Sequence, residues 1–149
     1  MMEAIKASKL TRVFDHLLAV DHISFEVEEG EIFAFLGANG AGKTTTIMML
    51  ATALNPTSGS ASVCGYDIIK ERNRVRESIG IVFEEPSLDI DLSGKENLDF
   101  HARMYHLGEK TRRERIARAL GLVGLKGEQN MPVKHYSGGM QRRLEIARG

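Results

Sequence analysis

Gly37, Gly42, Lys43 and Thr44 hold the fixed positions of the pattern G-x-x-x-x-G-K-[ST] in the run GANGAGKT, residues 37–44. Glycines at 37, 40 and 42 let the backbone curl so that successive N–H groups turn inward toward the oxygens of an anion. A helix predicted to start at Thr44 adds the partial positive charge of its N-terminus. Lys43 brings a full positive charge to a β- or γ-phosphate, and the Thr44 hydroxyl is a ligand for Mg2+. The plainer reading is a glycine-rich turn between a strand and a helix. At an average glycine usage of about 7%, a chance match in a chain of this length occurs about once in a hundred or less. The residues point to phosphate binding.

A second run, YSGGMQRRLEIAR at residues 136–148, places a serine and two glycines at the head of a basic amphipathic helix. Backbone N–H groups and the Ser137 hydroxyl at such a turn form another anion nest. Taken alone, Ser-Gly-Gly reads first as an ordinary helix N-cap. Its place some ninety-odd residues after the phosphate loop, with MQRRLEIAR behind it, favours the nest.

With both motifs in place the chain resembles the ATP-binding-cassette (ABC) ATPases, whose signature reads LSGGQ or variants such as SGGMQ. The resemblance covers nearly the whole chain. Residues 19–46 look like that family's approach to its phosphate loop, residues 57–68 like its next hairpin, and residues 79–100 like its Q-loop and the start of its helical subdomain. The wording from Glu85 to Asp89, with the ENLDFHARMYHL that follows, looks like the ATPases of drug and polysaccharide exporters.

The resemblance implies ATP and Mg2+ as ligands and a head-to-tail dimer, homo or hetero, with two ATP molecules at the interface. It assigns nucleotide contact to Gly37, Ala38, Asn39, Gly40, Ala41, Gly42, Lys43, Thr44 and Thr45 on one subunit. On the other it assigns Ser137, Gly138, Gly139, Met140 and Gln141. Phe14 stands where the family stacks an aromatic ring on adenine; by itself a lone phenylalanine is equally a core residue. Lys43, Glu84 and Ser137 carry the catalytic roles, and Thr44 and Glu84 the metal. The implied activity is ATP hydrolysis driving export through a transmembrane permease, on the cytoplasmic face of the membrane. Two other readings remain: a soluble ABC ATPase unconnected with transport, and a binding-only module.

Three departures from the family pattern stand out. Glu84 replaces the usual Gln; a carboxylate binds Mg2+ at least as well but cannot donate a hydrogen bond. Ala38 stands where proline is common. The family's strand ending in Asp-Glu and its switch histidine do not follow the signature, so a piece of a longer protein is expected, inactive by itself.

The rest of the composition narrows the partners. Lys plus Arg and Asp plus Glu are both 20, so no net field draws the chain to nucleic acid or anionic lipid. A single cysteine, Cys64, excludes an internal disulfide. His101 and His106 are five apart and share no helix face for a zinc pair. The N-terminus lacks the apolar core of a secretory signal. The longest nearly apolar stretch, residues 46–54, is about half of a membrane-spanning helix. These features predict a soluble, cytoplasmic chain. No Asn-Lys-x-Asp occurs to read guanine, and no long coiled coil separates the two motifs as in genome-maintenance relatives.

The elements that must position the motifs follow from patterning. Residues 5–29 predict half-buried antiparallel strands, with Ile23, Phe25 and Val27 alternating with polar neighbours. The run IFAFL, residues 32–36, reads as a strand buried on both faces, and residues 79–83 as a second. A helix over residues 44–54 should stop at Asn55-Pro56, a short strand is expected over 60–64, and a helix over 72–78. Thr111 with Glu114 predicts a capping box for a helix burying Ile116, Ala119, Leu120 and Val123. The basic residues around it, Lys110, Arg112, Arg113, Arg115 and Arg118, read as a solvated face. The fold class is therefore α/β: a P-loop NTPase core of ABC type with an antiparallel β-subdomain and an α-helical subdomain, its C-terminal part missing. The expected division is 1–85 for the β-subdomain and P-loop core, 86–135 for the helical subdomain, and 136–149 for the signature and its helix.

Overall fold

The computed structural model describes residues 3–82 and 87–149. The chain forms two compact units, Met1–Gly80 and Ile81–Gly149.

In the first unit β1 (Glu3–Phe14) and β2 (Leu17–Glu28) form a long hairpin. β3 (Ser58–Val63) and β4 (Tyr66–Asp67) complete a four-stranded antiparallel sheet of order β2-β1-β3-β4. Cys64 (φ 50°) and Gly65 (φ 80°) turn β3 into β4, the paired positive angles that match the strand twist. β1 bulges at Lys9 (φ 47°), whose N–H donates to Ser24 Oγ at 2.8 Å. The backbone of β3 comes so close to that bulge that a Cβ on Gly59 would lie 2.1 Å from the Lys9 carbonyl oxygen. Against one face of the sheet pack α1 (Lys43–Leu50) and α2 (Arg72–Ser78), burying Leu10, Met49 and Val75 completely, with Ala7, Val20, Ala61 and Val63 around them.

The predicted antiparallel strands over residues 5–29, the strand near 60–64 and the helix 72–78 are all present. Two other expectations change. α1 ends at Leu50, four residues before the predicted stop, because Thr52 (φ 61°) turns left-handed. The Thr52 N–H then bonds the Met49 carbonyl at 3.0 Å and the Ala53 N–H bonds the Met48 carbonyl at 2.9 Å, a Schellman ending. The runs 32–36 and 79–82 are not in strand ladders; Phe83 of the second run lies outside the described residues. Ile32 and Leu36 stand 99% and 93% exposed, where a strand buried on both faces was expected. Apolar strand residues are covered only when neighbouring strands and a second layer flank them, and the described residues supply neither for this run. Phe33 and Phe35 instead meet Phe25 of β2, with ring centroids 5.4 and 5.1 Å away.

The second unit is helical: α3 (Gly94–Met104), α4 (Glu109–Leu122), a 3-10 turn at Val133–His135, and α5 (Gly138–Arg148). Its core joins Leu98, Ile116, Leu120, Leu125, Val133, Tyr136 and Leu144. The predicted capping box at Thr111 is absent. α4 starts at Glu109 after an N-cap at Gly108, three positions before the expected cap, which places Thr111 inside the first turn. Glu109 and Lys110 are good helix formers and extend the helix backward. A capping box does form on α3, where the Ser93 hydroxyl accepts the Glu96 N–H and the Glu96 carboxylate accepts the Ser93 N–H at 2.8 Å. Of the basic residues on α4, Arg112 is largely covered and pairs with Asp99, while Lys110, Arg113, Arg115 and Arg118 face solvent.

Candidate nucleotide site

The phosphate loop is built on β2. Gly42 sits at the N-cap of α1 with φ 83°, a left-handed conformation that disfavours side chains. A Cβ there would lie 2.3 Å from the Ala19 carbonyl oxygen and 3.0 Å from Val20 Cγ2. Glycine at 42 is thus required twice, by its angle and by the close seat of the loop on β2. The first bond of α1 runs from the Thr46 N–H to the Gly42 carbonyl at 2.8 Å, and the Thr46 hydroxyl donates to the same oxygen at 2.9 Å. The N–H groups of Lys43, Thr44 and Thr45 precede that bond and have no partner inside the helix. No side chain caps this end.

Lys43 reaches back across the loop, its ammonium donating to the carbonyls of Gly37 and Ala38 at 2.8 Å each. The positive charge is thereby held at the mouth of the loop, beside the N-terminus of α1. Gly37, Ala38, Asn39, Gly40 and Ala41 are exposed, and a Cβ on Gly40 (φ 83°) would meet nothing within 4 Å. Exposed backbone, three helix-start N–H groups, an ammonium and the Thr44 hydroxyl form a donor set that fits a polyphosphate with a divalent cation. When bound, Mg2+ would supply charge neutralisation for the phosphates, and the Thr44 hydroxyl could serve as one of its ligands.

Phe14 lies at the far end of β1, opposite Leu17, and its neighbour on the same strand face, Arg12, pairs with Val20. Val20 is also the residue that Gly42 approaches, so one end of the β1–β2 hairpin carries both the aromatic ring and the seat of the loop. The ring is 38% exposed. Sequence reading had no means of placing Phe14 in this neighbourhood without the family resemblance.

The signature belongs to the second unit. Ser137 caps α5 by accepting the Met140 N–H at 3.3 Å. Gly138 and Gly139 are exposed, and a Cβ on either would meet nothing within 4 Å, so nothing packed nearby calls for glycine there. Met140 is half-buried against the helical core, and Gln141 reaches the Val133 carbonyl at 3.5 Å. Tyr136, just before the turn, is buried and donates to the Glu128 carbonyl at 2.8 Å. Glu84 lies outside the described residues.

Two residues escaped the sequence reading. Glu145, on α5 and 2% exposed, accepts the Ser87 N–H at 2.7 Å, and Arg148 donates to the Ser87 carbonyl at 2.9 Å. α5 thus grips the chain three positions after Glu84. The available signal was an acid between Leu144 and Ala147 on the core side of an amphipathic helix.

Residues 20–149 match the family described as ABC transporter. The chain belongs to this family. It is 42% identical over 144 residues to the daunorubicin/doxorubicin resistance ATP-binding protein DrrA of Streptomyces peucetius, covering 97% of this chain and 44% of that one. It is 38% identical over 148 residues to the bacitracin transport ATP-binding protein BcrA of Bacillus licheniformis, covering 99% and 47%. Among solved structures it resembles cbiO1 of Clostridium perfringens, part of the ABC transporter complex cbiONQ, with TM-score 0.87 and 31% identity, over 99% of this chain and 61% of that one. This ABC chain therefore spans about half the length of the curated relatives it matches. The resemblance to the drug-exporter branch read from the sequence is borne out by these relatives. Among the described residues no helix is long and apolar enough to cross a membrane.

Proposed function

We propose that this ABC chain binds ATP in the ATP-binding subunit of an exporter, and that in the whole protein hydrolysis of that ATP drives export through a transmembrane permease. The observation that carries the reading is the Lys43 ammonium, fixed by two carbonyls over a loop that opens onto the bare N-terminus of α1. Residues 37–45 receive the phosphates, with Lys43 as the charge partner. Thr44 and Glu84 hold Mg2+, and Phe14 stacks on adenine. Ser137, Gly138, Gly139, Met140 and Gln141 face the nucleotide of a second subunit, homo- or heteromeric, in a head-to-tail pair. The exposed, unpacked glycines 138 and 139 suit the approach of such a partner. Residues 1–85 serve as β-subdomain and P-loop core, 86–135 as helical subdomain, and 136–149 as signature. The protein works at the cytoplasmic face of the membrane through its permease; the link to transport is supported by a relative named as a bacitracin transport ATP-binding protein.

Calorimetric titration with ATP tests this. Lys43→Ala should weaken binding by about 1.5–3 kcal/mol, the range for hydrogen bonds to charged groups, or about ten- to a hundredfold. Unchanged affinity in a folded variant refutes the phosphate assignment.

A further inference from the structure

We infer that Arg12 is a positioning residue for base recognition, holding the Phe14 ring with one face covered and the other left for a purine. The Arg12 guanidinium carbon lies 4.4 Å from the centroid of the Phe14 ring. Its NH1 donates to the Asn55 carbonyl at 2.9 Å, just beyond the turn that ends α1. The two partners are neutral, and the Nε atom is buried with no hydrogen-bond partner. A buried guanidinium N–H without an acceptor is a cost, so the ring contact and the carbonyl are what set the position of this side chain.

The anchor is itself rigid. The Asn55 side-chain oxygen accepts from Arg72, and Arg72 and Arg76 both reach the Thr52 carbonyl. Arg76 also donates to the Thr52 hydroxyl at 2.7 Å. Thr52 is 1% exposed and is the left-handed residue that closes α1. The Thr57 hydroxyl adds a bond from the Val13 N–H at 3.0 Å, between Arg12 and Phe14. One side chain, Arg12, therefore links the ring to the far end of the helix whose near end carries Lys43.

A flat aromatic ring has two faces. With a guanidinium on one, stacking by a base is confined to the other. The cation also draws electron density from the ring, which favours an electron-rich purine on the open side. The inference rests on the reading of Phe14 as the adenine-stacking residue, and it adds how that ring is aimed.

The test compares ATP with inorganic triphosphate, which carries the phosphates and no base, on the full-length protein by calorimetry. Arg12→Met keeps the aliphatic stem and removes the guanidinium. It should weaken ATP binding about three- to tenfold, the scale of a cation–π contact, and leave triphosphate binding unchanged. Arg12→Lys should recover part of the loss. In a Phe14→Leu background Arg12→Met should change nothing further. Equal losses for ATP and triphosphate, or the same loss in the Phe14→Leu background, overturn the inference, because Arg12 would then act on the phosphates or on the fold. Phe14→Leu alone reports on the underlying reading: unchanged ATP affinity there removes Phe14 as the stacking ring, whatever Arg12 does. Should Arg12→Met unfold the protein, Arg12→Lys with the same pair of ligands decides the matter by whether only ATP binding falls.

Discussion

The carboxylate of Glu145 accepts the backbone N–H of Ser87 at 2.7 Å, joining the signature helix to a residue 58 positions earlier. Glu145 is 2% exposed, so the bond is made out of water. Replacing Glu145 with Ala leaves the Ser87 N–H without this acceptor, a loss of about 1–3 kcal/mol in unfolding free energy. Glu145→Gln keeps a carbonyl acceptor and should lose less. Urea denaturation of the two variants checks the order; equal, near-zero losses would mean that the bond contributes nothing.

Gly42→Ala should be severe. The added methyl meets the Ala19 carbonyl oxygen at 2.3 Å and is forced into φ 83°. Left-handed strain costs about 1–3 kcal/mol, and relief of the clash must lift the loop off β2. The expected result is lower stability together with weaker ATP binding, read by thermal melts and calorimetry. Wild-type affinity in this variant would show that the seat on β2 does not shape the phosphate site.

Ser137→Ala removes the N-cap of α5 at a typical cost of about 1 kcal/mol, and Gly139→Asp adds a charge in open space at little cost to folding. In the whole protein both should leave ATP affinity of the isolated subunit nearly intact while suppressing ATP-dependent dimerisation. Analytical ultracentrifugation with and without ATP distinguishes this from an equal loss in monomer and dimer, which contradicts a role across the interface.

The capping box on α3 predicts a pH effect. The Ser93 hydroxyl first, and the Ser93 N–H second, hold the Glu96 carboxyl below its ordinary value. A folded-state pKa lowered in this way stabilises the protein above the ordinary carboxylate pKa of about 4. The contribution disappears as pH falls through the folded value. Glu96→Gln should flatten the acid side of the stability curve below about pH 5 and leave its shape near neutrality unchanged, as measured by denaturant midpoints across pH.

Much of this protein was legible in its residues. The phosphate loop, the β1–β2 hairpin, α2 and the head of α5 are local: each follows from spacing, alternation or a capping residue within a few positions. Ser93 with Glu96 was equally local, and Thr111 with Glu114 displayed the same pattern falsely. A capping pair fits any turn, and the start of α4 was decided by the residues ahead of it. The fate of IFAFL was not local at all. Five apolar residues specify burial, but only partner strands can supply it, and none adjoins them among the described residues. Likewise no periodicity announces that Gly42 rests on Ala19, that Arg12 lies on Phe14, or that Glu145 reaches Ser87. Those contacts join positions separated in sequence, so the folded chain alone decides them, because only folding brings a carbonyl, a ring or an amide to within bonding distance of its partner.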